Sequence, residues 1–251
     1  MVMIFPGFTI SALHPRRFFQ RPVLTSRCLL CHQKTSSLSQ LLCDCCREEL
    51  PSLPHACRQC GEPMQVSQQQ CGKCQNNTPH FDATWSSYLY APPIRSLISD
   101  FKFQRDLTTG KVLAELMAYN IQYRLTREPH MRPDRIIPIP LHPKKQRQRS
   151  FNQSQILAAA ISRQTEIPLV ANLCVRKKAT KEQRSLSAKE RRANMRAAFA
   201  CLQDLEGQRI AMVDDVMTTG ATCNALAQKL KSAGAKEVIV WCLARAPSPR
   251  G

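Results

Sequence analysis

Residues 210–222 read IAMVDDVMTTGAT. Ile210, Ala211, Met212 and Val213 form a short apolar run of the kind that makes a buried strand. The run leads straight into two carboxylates, Asp214 and Asp215, and then into a loop of Thr218, Thr219, Gly220, Ala221 and Thr222. Beyond the loop, Cys223, Leu226, Ala227, Leu230 and Ala233 recur at helical spacing, and Gly234 is the expected C-cap. A strand–loop–helix turn with small residues at the helix start suits a phosphate, because unpaired N–H groups and the positive end of the helix dipole converge there. The two carboxylates upstream are acceptors fit for sugar hydroxyls. A phosphorylated sugar would satisfy both halves of the loop. Neither GxxxxGK[ST] nor GxGxxG occurs, which excludes a Walker A loop and a dinucleotide fingerprint.

Working outward, the chain from Phe81 onward alternates helical and strand patterns. Ile94–Tyr123 reads as helical in parts, interrupted around Lys102–Asp106 and at Gly110. Arg135–Ile139 and Leu169–Val175 read as strands, Asn152–Gln164 as a helix, and Ile210–Val213 and Val238–Leu243 as two further strands. Such alternation predicts an α/β fold with a parallel sheet and helices on both faces, ligands lying beyond the carboxyl ends of the strands. The segment after Ile137-Pro138-Ile139-Pro140 is another such end. It carries Lys144, Lys145, Arg147 and Arg149 before Phe151-Asn152-Gln153 open a helix, and reads as a second anion site. Residues 176–196 hold nine cations and two acids, and their length suggests a lid or a binding arm.

The chain has 251 residues, enough for one α/β domain and a small accessory module. Its formal charge of +18 favours polyanionic partners: phosphates, nucleic acid or anionic membrane. No apolar run approaches the roughly 18 residues of a membrane span. Residues 1–26 lack the charged start of a signal peptide and are expected to be a flexible leader.

Of thirteen cysteines, nine crowd between Cys28 and Cys74. They include four CxxC pairs: Cys28/Cys31, Cys43/Cys46, Cys57/Cys60 and Cys71/Cys74. Two intervening residues let a tight turn aim two thiolates at one ion, so eight cysteines suit two structural zinc ions. Pairing in sequence order is simpler than a cross-braced arrangement, though the spacing permits both. Cys45 competes with Cys46 as a ligand, and the two-residue gap favours Cys46. A redox CxxC and an iron–sulfur cluster are the minor alternatives. The segment is too poor in apolar residues to fold alone, so metal would supply folding energy. His32, His55 and His80 read as bystanders, and Cys174, Cys201, Cys223 and Cys242 as small core residues. The expected division is a leader over 1–26, a zinc-binding module over 27–80 and an α/β domain over 81–251. Thiolate ligands and the missing export signal point to the cytoplasm.

The assembled motifs resemble type I phosphoribosyltransferases, and more closely the ComF/GntX family, the competence protein F group. The resemblance rests on the paired CxxC module, YAPPIRSLISDFKF (90–103), PIPLHPKKQRQRSFNQS (138–154), Thr180/Gln183/Leu186 and VDDVMTTGAT, and covers about residues 25–245. It implies a parallel-sheet phosphoribosyltransferase fold behind an N-terminal zinc module. It further implies phosphoribosyl diphosphate (PRPP) bound with magnesium. Asp214 and Asp215 would take the ribose hydroxyls, directly or through a magnesium shell, and Thr218, Thr219, Gly220, Ala221 and Thr222 the 5′-phosphate. Lys144, Lys145, Arg149 and Lys102 would face the pyrophosphate. The implied reaction displaces pyrophosphate from the anomeric carbon by a nitrogen nucleophile. Some relatives that salvage purines have an aspartate general base where this chain has Thr218, a hydroxyl unable to take a proton near neutral pH. The resemblance therefore leaves two readings: a transferase, or a nucleic-acid-associated adaptor using the PRPP site as a ligand or sensor site. Its implied partners are PRPP or a related phosphosugar, single-stranded DNA and DNA-uptake proteins. Ser150 stands where the family more often has glycine, which implies a local change of turn.

Overall fold

The computed structural model describes residues 27–35, 41–141, 150–176 and 198–248. In chain order these form α1 (Asp44–Glu48), α2 (Gly72–Asn76), β1 (Ala83–Leu89), α3 (Ile94–Ser99), a π-helical turn (Asp100–Gln104), α4 (Leu107–Arg127) and β2 (Arg135–Pro138). There follow α5 (Gln153–Thr165), β3 (Cys174–Arg176), β4 (Phe199–Cys201), β5 (Arg209–Met217), α6 (Ala221–Ser232) and β6 (Glu237–Arg245). The leader, the basic loop with Lys144, Lys145 and Arg149, and the Thr180/Gln183/Leu186 stretch lie outside the described residues.

β1, β6, β5 and β2 form a parallel sheet in that order. Alternate side chains of the central strands enter opposite cores, as a two-residue repeat requires. Ala211, Val213, Ile239, Trp241 and Leu243 meet α3, α4 and α5 on one face. Ile210, Met212, Val238, Val240 and Cys242 meet α6 on the other. Both faces are covered, which is why the central strands read as continuous apolar runs. Trp85 and Trp241, opposite one another in register, stack at 5.9 Å.

Three expectations need correction. β5 continues through Asp214 and Asp215 to Met217, pairing with β6 as far as Arg245, so the acids sit inside the strand rather than after it. The apolar stretch 169–175 is not one strand. Leu169 bridges Ile136 in parallel, the chain turns at 171–173, and Cys174–Arg176 pairs antiparallel with β4 in a separate ribbon. Gly110 does not interrupt a helix: α4 runs through it, and a Cβ there would stand 2.4 Å from the Phe101 ring. The real break precedes α4, where Arg105 takes φ 59° and the Asp106 carboxylate accepts from Thr108 N and Thr109 N as the N-cap.

Candidate functional site

β5 carries the acid pair to the carboxyl end of the sheet. The Asp214 carboxylate accepts from Ser154 Oγ at 3.1 Å and from the Asp215 N–H at 2.9 Å. Ser154 is in place because Asn152 caps α5: its side chain accepts from Ser154 N and donates to Ile139 O, tying the helix start to the end of β2. Lys102, on the π-helical turn, places Nζ 2.7 Å from Asp215 Oδ1. Phe101 beside it is fully buried, with its ring centroid 5.4 Å from that of Phe151. Burial first, and the neighbouring Asp215 charge second, push Asp214 up to about 7. The Lys102 ammonium, the Asp215 N–H and the Ser154 hydroxyl oppose that rise.

Beyond Met217, Thr218 and Thr219 are exposed and Gly220 turns the chain into α6 at φ 73°. Glycine suits this point because the backbone is left-handed and a Cβ would meet Met217 Cε at 2.7 Å. The loop N–H groups and the first turn of α6 thus stand beside the acid pair, as an anion site requires. Gly234 takes φ 93° just after α6, as its C-cap reading anticipated. A cavity of about 570 Å³ lies on the other side of the loop, between Thr219, Gly220 and Ala221 and the cysteines Cys60 and Cys74 with Glu62 and Lys73; Asp214, Asp215 and Lys102 do not line it. Cys223 and Cys242 are buried nearby, and burial holds both thiols protonated, Cys242 pushed up to about 12.

The eight cysteines of the CxxC pairs form two groups in sequence order: Cys28, Cys31, Cys43 and Cys46, and Cys57, Cys60, Cys71 and Cys74. Cys45, His32, His55 and His80 belong to neither. The donor set fits zinc. A tetrahedral ion with Zn–S bonds of about 2.3 Å sets its sulfurs about 3.8 Å apart. Here Cys31–Cys43 and Cys60–Cys71 Sγ atoms are 3.7 Å apart and Cys57–Cys74 are 4.0 Å apart.

Ser150, where the resemblance expects glycine more often, takes φ 68°, the region that favours glycine, and the helix cap is Asn152. Two features carried no local sequence signal. Ser154 was only part of a helix start. Arg245 is 2 % exposed at the end of an apolar strand and carries a buried charge that must find partners. It donates from Nη2 to Glu62 Oε2 at 2.7 Å, from Nε to Cys60 O at 3.0 Å, and from Nη1 to Met217 O and Thr218 O at 3.2 and 2.5 Å.

A covered parallel sheet, an acid pair leading to a glycine-turned loop at a helix start, and two four-cysteine groups define a phosphoribosyltransferase fold with a double zinc ribbon. The phosphoribosyl transferase domain family matches residues 152–251 and the double zinc ribbon domain family residues 19–75. Competence protein F of Haemophilus influenzae is 35% identical over 223 residues, covering 88% of this chain and 97% of its own length. The DNA utilization protein YhgH of Escherichia coli O157:H7 is 34% identical over 218 residues, covering 87% and 96%. Among solved structures, a purine phosphoribosyltransferase from Pyrococcus horikoshii aligns with TM-score 0.36 and 22% identity over 55% of this chain and 77% of that one. The chain belongs to the competence protein F family. Among the described residues no helix is long and apolar enough to cross a membrane.

Proposed function

We propose that the chain binds PRPP with magnesium and serves DNA uptake or utilisation. The observation that carries this reading is the acid pair at the end of β5, held by Ser154 and Lys102 and followed by the Thr218–Thr222 loop at the start of α6. Asp214 and Asp215 would accept from the ribose hydroxyls. Thr218, Thr219, Gly220, Ala221 and Thr222 would surround the 5′-phosphate with N–H and hydroxyl donors. Lys102, which rests on Asp215, would meet the pyrophosphate together with Lys144, Lys145 and Arg149. Carboxylate oxygens are the hard donors magnesium takes, and the ion when bound would neutralise the pyrophosphate. The two cysteine groups would each hold a structural zinc, with all four positions filled by sulfur and none open to substrate.

Thr218 favours a second reading, a nucleic-acid-associated adaptor that holds PRPP without turning it over, since a hydroxyl supplies no general base at neutral pH. The names of the relatives, competence and DNA utilisation, and the charge of +18 support single-stranded DNA and DNA-uptake proteins as partners in the cytoplasm. Calorimetric titration of PRPP and magnesium against wild type and D214A/D215A tests the binding. Heat from wild type alone is the expected result, and no heat from wild type refutes the proposal. Pyrophosphate release across a nucleobase panel then separates transferase from adaptor.

A further inference from the structure

We propose that the second zinc ribbon is part of the phosphate loop's scaffold: through Arg245, metal at Cys57, Cys60, Cys71 and Cys74 and ligand at residues 218–222 are energetically coupled. The identity of the ligand rests on the PRPP reading; the mechanical link does not.

A guanidinium cannot shed its charge in a protein, so one buried at 2 % exposure depends on fixed acceptors. Arg245 takes them from the end of the sheet and from the ribbon. Met217 O, Thr218 O and Ala246 O lie where β5 and β6 run out, while Cys60 O and Glu62 Oε2 belong to the ribbon. A peptide unit is planar and trans, so its N–H points opposite to its C=O. The unit whose carbonyl is Met217's carries the N–H of Thr218, and the unit whose carbonyl is Thr218's carries the N–H of Thr219. By holding the two carbonyls, Arg245 aims both N–H groups away from itself.

The ribbon side is held by the sulfur cluster. Cys60 is a member of the cluster and lends its carbonyl to Arg245. The turn around it is closed by Gly61 N to Cys57 O at 2.8 Å and Cys57 N to Glu62 O at 2.9 Å. Glu62 is fixed in turn by Ser248, through N at 2.8 Å and Oγ at 2.9 Å. Losing metal frees the Cys57–Glu62 turn, and with it the acceptors that set the angle of Arg245. The first cluster packs elsewhere: Leu42 and Leu50 beside it enter the core shared with α4. Coupling is therefore confined to the second ribbon and is reciprocal.

Glu62→Gln keeps every sulfur and removes the charge that anchors Arg245. In the full chain it should retain two zinc ions, weaken PRPP binding about tenfold, and lower the NMR backbone order parameters of Thr218 and Thr219 while those of β5 and β6 stay high. If E62Q proves unfolded, Ser248→Ala replaces it, with smaller changes in the same direction. Cys60→Ser should loosen the same two residues, and Cys31→Ser should not. Unchanged order parameters at Thr218 and Thr219 in E62Q and C60S overturn the proposal, as does an equal response to C31S. If wild type itself fails to bind PRPP, the ligand reading falls, and the order parameters still decide the coupling.

Discussion

Gly110→Ala should destabilise the chain by about 1–2 kcal/mol, although a helix interior ordinarily prefers alanine. Position 110 lies inside α4, where exchanging glycine for alanine alone would add about 1 kcal/mol of stability. The new Cβ, however, would stand 2.4 Å from Phe101 Cε2, 2.6 Å from Cδ2 and 3.1 Å from Cζ. Carbon atoms in contact rest about 3.5–4 Å apart, so the ring must retreat by roughly 1 Å. It has nowhere to go, being fully buried and already against Phe151. Forcing a methyl into such a site costs about 2–3 kcal/mol, and subtracting the helix preference leaves the stated net. Phe101 also precedes Lys102, so displacing the ring should pull Nζ away from Asp215 and alter ligand binding as well as stability. Urea denaturation gives the stability, and a PRPP titration reads the site. Phe101→Leu should partly rescue Gly110→Ala, because the smaller side chain makes room, so the double variant should lose less than the two singles added together. A G110A protein as stable as wild type, or strict additivity in the double variant, would refute the packing argument.

Asp214 ionises near pH 7 in the folded chain against 3.8 as a free side chain, so its contribution to stability is complete below about 3.8 and is lost as pH rises through about 7. Relative to Asp214→Asn, wild-type stability should therefore fall between about pH 4 and 7, and a constant difference in urea midpoint across that window contradicts the raised ionisation of Asp214. Ser150→Gly relieves a left-handed backbone worth about 1–2 kcal/mol but loosens the unfolded chain, so a net gain of up to about 1 kcal/mol in thermal or urea unfolding is expected. Cys46→Ser should reduce bound zinc from two ions to one, as measured by metal analysis, whereas Cys45→Ser should leave two; the reverse would reassign the ligand.

The parts legible in sequence are those whose chemistry is local. The β5–loop–α6 unit announces itself because strand, acids, glycine and helix are contiguous, and the CxxC spacing announces thiolate pairs because each pair is a single turn. Pairing of one CxxC with another is a matter of tertiary geometry, so sequence order could be preferred but not settled. β1 escaped notice because ATWSSYL mixes polar and apolar residues without clean alternation, its burial following its position at the sheet edge. The run 169–175 misled because apolar content does not say which sheet a strand joins; the turn at 171–173 sends its two ends to different partners. Lys102 and Asp215 are 113 residues apart, and the packing of Phe101 against Gly110 of α4 and against Phe151 fixes the turn that carries Lys102.

The ribbons do more than precede the sheet. An exposed edge strand offers its N–H and C=O groups to any passing chain, and folded proteins cover or disrupt such edges. On the free side of β1, Leu89 N donates to Pro51 O, Ser52 bridges Tyr88, Thr84 N donates to Arg58 O and Thr84 Oγ1 to Gln59 O. The partners come from the second ribbon and from the segment between the two. The same ribbons also feed both cores: Cys28, Leu42 and Leu50 enter the one under α4, and Cys60 packs against the one under α6. A metal-held module of so few apolar residues has no core of its own to close, and the edge of the sheet gives it one. In return the sheet gains an edge cover and, through Arg245, a support for the start of the Thr218–Thr222 loop. Metal, edge and loop are on this view one structural unit, which explains why a chain whose acid pair and loop argue for ligand binding carries two four-cysteine groups ahead of them.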